Sequence, residues 1–563
     1  MKQIGSILNQ AHEFPFVDDS TFRIFKIDPV KGNWGSFWYL WKNRKQFLED
    51  QGFLAFKYGD KWHLELKEDI NKWKDIERKP SRKVLDLINK MVIIKEVKEK
   101  LLSYQVPHVQ NAIYSLLKEN VFLDASDTGT GKTYTAIATC KNQNFKPLIT
   151  CPKALIPTWQ RVCDYFEIEP LAISNYETIT LGKMVVKRKS TRSKNGYMIE
   201  KKPCPFIEIS LNPYHGMNHE PKYQYNFNLP ERGILIVDEG HRCKYRTSRP
   251  GQLLMRAARQ KIKTMILSAT IAESIMTMIP LGMILGFFES PIDFYIGWAR
   301  KHGCYKPEDY WTEEDEKSGR KKQKGWRFNG DISQLQRIHS NIYPIKGARM
   351  RTSLIKDFPE TLITADTYRL DGKGLREINK LYDKILNSSP NALVLRVKAR
   401  MDIEYYKVPI LKELAINAIE EGNSVVIFCN YSKTIIELMK LLKTDCVIWG
   451  KVSGDLNEAN RKKFHEDRSR IILCNVKAAK EGIDLHDING KYPRVTFISP
   501  MDSAQVLIQC LGRVHRIKAK SKSVQKIVYV EGTIEEDVAD NVRSKVTNIK
   551  ALNDKDLGKG VLF

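Results

Sequence analysis

Residues 125–133 read Ala125-Ser126-Asp127-Thr128-Gly129-Thr130-Gly131-Lys132-Thr133, directly after an apolar run at 121–125 and ahead of a stretch with helical spacing. Glycines in a strand-to-helix turn let backbone N–H groups converge on phosphate oxygens, and the helix N-terminus adds a favourable dipole. A lysine in the Lys132 position reaches β and γ phosphates, and a hydroxyl in the Thr133 position binds Mg²⁺. Ser126, Asp127, Thr128, Gly129, Thr130, Gly131, Lys132 and Thr133 are therefore the candidate nucleotide-binding set, with ATP and Mg²⁺ as expected cofactors. Ser126 stands where the G-x-x-x-x-G-K-[ST] pattern has its first glycine.

On either side of this loop, short apolar runs rich in β-branched residues alternate with longer helical stretches. The runs lie at 121–125, 148–151, 234–237 and 265–267, and a second series at 424–429, 446–449, 470–474, 495–498 and 526–530. Strand and helix in alternation imply parallel sheets covered on both faces, so the expected fold class is α/β with two doubly wound domains.

The run at 234–237 delivers Asp238-Glu239-Gly240-His241 at its end. Two carboxylates after a buried strand suit metal-assisted phosphoryl transfer. Asp238 would hold Mg²⁺, and Glu239 would orient and deprotonate the attacking water. An acidic pair after a strand is commonplace alone; together with the Lys132 loop it points to nucleotide hydrolysis.

The chain has 563 residues and a mass of 65.1 kDa, which allows about three or four domains. Lys plus Arg number 92 against 66 Asp plus Glu, a formal charge of +26 that favours a polyanionic partner. No stretch is long and apolar enough for a membrane helix, and the N-terminus lacks an export signal, so an intracellular protein (cytoplasm or nucleus) is expected. The ten cysteines never form a C-x-x-C pair, which favours reduced buried thiols over zinc sites or a disulfide framework. Residues 1–95 hold five of the ten tryptophans among many lysines and read as an aromatic-rich accessory domain. The helical spacing at 84–102 predicts a connecting helix. Residues 96–300 and 366–545 are the two expected lobes, 301–365 an insertion or linker, and 546–563 a tail.

The chemistry-bearing segments resemble the superfamily-two helicases. Asp238-Glu239-Gly240-His241 and Ser268-Ala269-Thr270 look like motifs II and III, and a serine at 126 is common in the helicase form of the phosphate loop. More of the pattern resembles the Swi/Snf-type branch of double-stranded DNA translocases. Tyr104-Gln105 sits where that branch has its adenine-reading glutamine. Cys151-Pro152-Lys153 with Trp159, then Asn175-Tyr176-Glu177, follow motifs Ia and Ib. Gly454, Arg461 and Phe464 precede Glu481-Gly482-Ile483-Asp484-Leu485, similar to motif V. Gln509-Cys510-Leu511-Gly512-Arg513-Val514-His515-Arg516-Ile517, with Thr533-Ile534-Glu535-Glu536, closely resembles motif VI of this branch. The segment 349–359 is similar to the basic stretch entering the second lobe. Ser268-Ala269-Thr270, in place of Thr-Gly-Thr, is closer to the DEAD and DEAH unwinding enzymes.

The resemblance implies two RecA-like lobes with ATP between them. Gln105, Lys132, Thr133, Asp238 and Glu239 would form one wall, and Arg513 and Arg516 would act as arginine fingers from the other. It implies that Ser268, Thr270, Gly482, Asp484 and Gln509 couple hydrolysis to movement. Lys153, Asn430 and Lys480 would contact nucleic-acid backbone. Between motifs Ib and II, residues 183–202 carry eight basic residues and one acid, including Lys187, Arg188, Lys189 and Arg192. A flexible phosphate-contacting loop and a solvated charge run are both open readings of that stretch. The expected activity is ATP-dependent translocation on, or remodelling of, DNA. The alternatives are an RNA-directed unwinding helicase and a non-enzymatic ATP-binding clamp.

Overall fold

The structure is a computed structural model that describes residues 25–26, 53–58, 61–66, 82–189, 197–213, 222–270, 272, 274–306, 325–355, 358–370, 376, 378, 392–479 and 483–554. Its first sheet holds β1 (Val121–Asp124), β2 (Lys146–Cys151), β3 (Ala172–Asn175), β4 (Gly233–Asp238), β5 (Thr264–Leu267) and β6 (Gly347–Ala348). They lie in the order β6-β1-β5-β4-β2-β3, and every pairing is parallel. The second sheet holds β7 (Thr361–Tyr368), β8 (Ser424–Cys429), β9 (Val447–Ile448), β10 (Ile471–Asn475), β11 (Arg494–Ile498) and β12 (Ser523–Val530). Their order is β7-β12-β11-β8-β10-β9, again wholly parallel.

Each sheet is buried on both faces, which is why its inner strands read as unbroken apolar runs. Leu235 and Val237 of β4 enter one core with Val121, Leu123 and Ile266, while Ile234 and Ile236 enter the opposite core with Phe122 and Met265. In the second sheet Val426 and Phe428 face one core, and Val425, Ile427 and Cys429 the other. The α/β class with two RecA-like parallel-sheet domains is the observed architecture. All ten cysteines are buried free thiols. Among the described residues no helix is long and apolar enough to cross a membrane.

Several expectations change. The helix expected at 84–102 is two short ones, Arg82–Asn89 and Lys95–Glu99, with extended chain between. Asn142 explains the break, accepting from Ile94 N–H at 2.8 Å and donating to the Val92 carbonyl at 3.0 Å; Gln110 also donates to the carbonyls of Asn89 and Met91. Within the basic stretch at 183–202 the described residues form an antiparallel strand pair, Lys183–Lys189 with Tyr197–Pro203. A second such pair, Ile207–Leu211 with Tyr223–Phe227, follows it. Strand membership also moves the lobe edges. β6 belongs to the first sheet and β7 to the second, so the expected 301–365 insertion ends inside both lobes. Of the tryptophan-rich N-terminus, three antiparallel strands are described (Phe25–Lys26, Phe53–Tyr58, Lys61–Leu66); Trp62 lies on the last, while Trp34, Trp38, Trp41 and Trp73 fall outside the described residues.

Candidate active site

The carboxyl ends of β1, β4 and β5 open on the same edge of the first sheet, where ligands of open α/β sheets bind. The loop after β1 turns through Gly129 (φ 85°) and Gly131 (φ 89°), left-handed positions that glycine adopts without strain, and enters α1 (Lys132–Gln143). Lys132 Nζ donates to the carbonyls of Ser126 (2.8 Å) and Asp127 (3.0 Å). Buried Asp124 organises the loop from below, accepting from Ser126 N–H at 3.0 Å and lying 2.9 Å from His108 Nε2. Ser126 needs no glycine, because its backbone is not left-handed and its hydroxyl accepts the Met350 N–H at 2.9 Å. Gln105 folds its amide onto the loop, donating to the Thr130 carbonyl at 3.1 Å. Thr133 is the second residue of α1, and Thr128 lies across the cleft from Gly512.

Asp238 ends β4, and Glu239 follows in the left-handed region (φ 54°, ψ 52°), an uncommon conformation for a non-glycine residue. Asp238 accepts from Trp159 Nε1 at 2.8 Å and from Glu239 N–H at 2.9 Å, while its carbonyl accepts from Tyr176 Oη at 2.5 Å. Burial, then the adjacent Glu239 charge, push the Asp238 carboxyl above the usual carboxylate range. Burial acts upward on Glu239 too, but the His241 hydrogen bond and the charges of His241, Lys132 and Arg513 outweigh it and hold Glu239 low. Glu239 Oε2 is 3.3 Å from His241 Nδ1. Ser268 Oγ sits 3.4 Å from that nitrogen and donates to the Thr270 carbonyl at 2.8 Å. Thr270 is itself buried.

The opposite wall comes from the second lobe. α2 (Ala504–Leu511) presents Gln509, whose Nε2 donates to Glu239 Oε2 at 3.3 Å across the cleft. Beyond it, Arg516 packs against the phosphate loop at Gly129. Its Nε is buried with no hydrogen-bond partner among the described residues, and burial together with the Arg513 charge pulls its pKa down to about 10. Arg513 is buried and donates to the Ile483 carbonyl at 2.8 Å. Asp484, whose charge acts on Arg516, is ion-paired to Arg461 at 2.6 Å. Beside His241 and Gln509 a cavity of about 760 Å³ opens between the lobes, lined by Tyr176, Arg242, Lys244, Arg249 and Gln505 among others.

Of the expected nucleic-acid residues, Lys153 is exposed at the start of a 3-10 turn. Lys187, Arg188 and Lys189 lie on the Lys183–Lys189 strand, with side chains outside the described residues, as are Arg192, Lys480 and Gly482 entirely. Asn430 donates its amide NH₂ to Glu404 Oε2 (2.8 Å) and the Pro500 carbonyl (2.9 Å), which braces the end of β8. The Asp127 carboxylate turns away from the loop interior onto Arg349. Sequence reasoning placed Trp159 by motif order but missed its bond to Asp238, which needs the fold to bring together positions far apart in the chain.

The Helicase conserved C-terminal domain family matches residues 406–518. The chain is 31% identical over 486 residues to the "Putative ATP-dependent RNA helicase L364" of Acanthamoeba polyphaga mimivirus, an alignment covering 84% of this chain and 87% of that protein. A shorter stretch, 164 residues at 29% identity, matches the "ATP-dependent helicase fft3" of Schizosaccharomyces pombe, covering 28% of this chain and 17% of that one. Among solved structures, S. cerevisiae Dbp5 bound to RNA and ADP BeF3 aligns with a TM-score of 0.42 at 11% identity, covering 82% of this chain and 93% of that one. On the near full-length match to the mimivirus protein, the chain belongs to the superfamily-two helicases and is an ATP-hydrolysing, nucleic-acid-stimulated enzyme of that family.

Proposed function

We propose that this helicase acts on RNA, with hydrolysis carried out by a pocket completed from both lobes. The observation that carries the two-walled pocket is Arg516 packed on Gly129 while Gln509 bonds Glu239. Lys132 and the loop amides bind the triphosphate, and Gln105 flanks the base. Glu239, held anionic by His241, orients and deprotonates water. Arg513 and Arg516 offset charge developing on the transferred phosphoryl group. The oxygen donors of Thr133 and Asp238 suit Mg²⁺, which would neutralise phosphate charge there. Ser268 and Gln509 meet at His241 and link the hydrolytic carboxylate to the second lobe.

The RNA reading is supported by Ser268-Ala269-Thr270 and by the printed name of the mimivirus relative. Translocation on double-stranded DNA is the second reading, favoured by the motif VI block with its trailing Thr533-Ile534-Glu535-Glu536. ATPase stimulation by single-stranded RNA, duplex RNA, single-stranded DNA and duplex DNA separates them. RNA should stimulate at least about tenfold more than either DNA at equal nucleotide concentration, ~1.4 kcal/mol in activation free energy. Stimulation by duplex DNA alone would overturn the RNA assignment.

A further inference from the structure

We propose that Arg349 and Thr352 are positioning residues that fix the phosphate loop from outside, acting through Asp127. The proposal rests on the ATPase reading of the site and adds to it a part supplied by the chain that links the lobes.

Asp127 lies inside the nucleotide-binding loop, yet its carboxylate is fully engaged elsewhere. Oδ1 accepts from Arg349 at 2.7 Å, and Oδ2 accepts from Thr352 N–H at 2.8 Å and Thr352 Oγ1 at 3.1 Å. The two backbones are joined as well. Asp127 N–H donates to the Met350 carbonyl at 3.0 Å, and Met350 N–H to Ser126 Oγ at 2.9 Å. Below these, β6 pairs in parallel with β1 and continues the same ladder. Both members of the Arg349–Asp127 pair are mostly shielded, their side chains 15% and 26% exposed, so solvent weakens the pair less than a surface one.

The consequence lies on the inner side of the same peptides. The carbonyls of Ser126 and Asp127, whose outer groups the linker grips, are the two that hold Lys132 Nζ. Fixing these peptides keeps the loop open when Lys132 leaves them for phosphate, so the binding amides need not reorganise in the transition state. The linker also reaches the other wall. At its far end the Pro359 carbonyl lies 2.8 Å from His515 Nε2, and Phe358 packs edge-on against the His515 ring, within the segment that carries Arg513 and Arg516. One stretch of chain thus touches the phosphate loop at one end and the finger segment at the other.

The test combines steady-state ATPase kinetics with hydrogen exchange on the full-length chain. Arg349→Ala and Asp127→Asn should each lower kcat about tenfold, with KM for ATP changed less than about threefold. The double variant should lose clearly less than the product of the two single losses, since both singles break the Arg349–Asp127 pair. Arg349→Lys should recover part of the loss. Exchange at the amides of residues 125–131 should quicken about tenfold in Arg349→Ala and in Thr352→Val. Unchanged kcat in folded single variants, multiplicative losses in the double, or unchanged exchange in both substituted proteins each overturn the proposal. Absence of ATPase in the unsubstituted chain with every nucleic acid would sink the enzymatic reading instead, and the exchange result would still decide whether the linker holds the loop.

Discussion

Arg516 carries a charge confined beside Gly129 and Arg513, its Nε unbonded among the described residues, an arrangement that gains most when an anionic phosphoryl group arrives. Arg516→Ala should therefore lower ATP turnover by about 10³ or more while ATP affinity changes little. Phosphate-release kinetics with a nucleotide-binding assay check both halves, and unchanged turnover in a folded variant would remove the finger role. His486 gives a pH prediction. Burial, then His465, Arg516 and Arg494, pull its pKa down to about 4, against the opposing Asp484 charge. The unfolded imidazole takes its proton near 6.5 and the folded one only near 4, so between those values the unfolded chain binds more protons. Stability is fully present above about pH 6.5 and falls by up to about 3 kcal/mol as pH drops towards 4. Urea unfolding from pH 7.5 to 4.5 should show that slope, flattened in His486→Gln. At this scale the sequence was readable for position, placing Lys132 at the start of α1 and Glu239 directly after β4. It was not readable where direction matters, because the linker that turns Asp127 outward lies far along the chain.

Interior strands such as β1, β4 and β8 were legible because burial on two faces demands unbroken apolar residues. The edge strand β7 was not, because it is covered incompletely and keeps polar residues such as Thr361, Thr364 and Asp366; β3 ends in the polar Ser174 and Asn175, and β6 is only two residues long. The strand pair at 183–203 was hidden for a related reason. Lysines dominate its composition, while Met184, Val185 and Val186 give too short an apolar signal. Thr533-Ile534-Glu535-Glu536, read only as a companion to motif VI, begins the helix Ile534–Asp554 and anchors it. Buried Glu535 bonds Lys407 Nζ at 2.8 Å, and Lys407 is wholly buried. Removing one partner of such a pair strands a charge, so Lys407→Ala should destabilise the second lobe by about 3–5 kcal/mol. Lys407→Met with Glu535→Gln should recover much of it, since no unpaired charge remains; urea denaturation of the three proteins is the check.

Across the whole molecule, the proposed pocket requires the lobes to approach closely, and a glycine sits at the contact. Gly512 follows α2 and faces the phosphate loop so closely that a Cβ there would press on Thr128, lying 2.8 Å from its Cβ and nearer still to Oγ1. Rotating the threonine relieves only the hydroxyl, because its Cβ is fixed to the backbone. Gly512→Ala should therefore wedge the lobes apart, withdrawing Arg516 from Gly129 and Gln509 from Glu239 while leaving each sheet intact. Turnover should fall at least about 10²-fold, consistent with loss of positioning by about 1 Å, and the melting temperature should hardly change. Fluorescence transfer between dyes on the two lobes should report a longer distance with ATP bound. Thr128→Gly removes the obstructing Cβ, so adding it to Gly512→Ala should restore closure and part of the turnover, although Thr128→Gly alone makes the loop more flexible. If the double variant stays open, or if Gly512→Ala hydrolyses ATP normally, the catalytic state does not require these surfaces to meet.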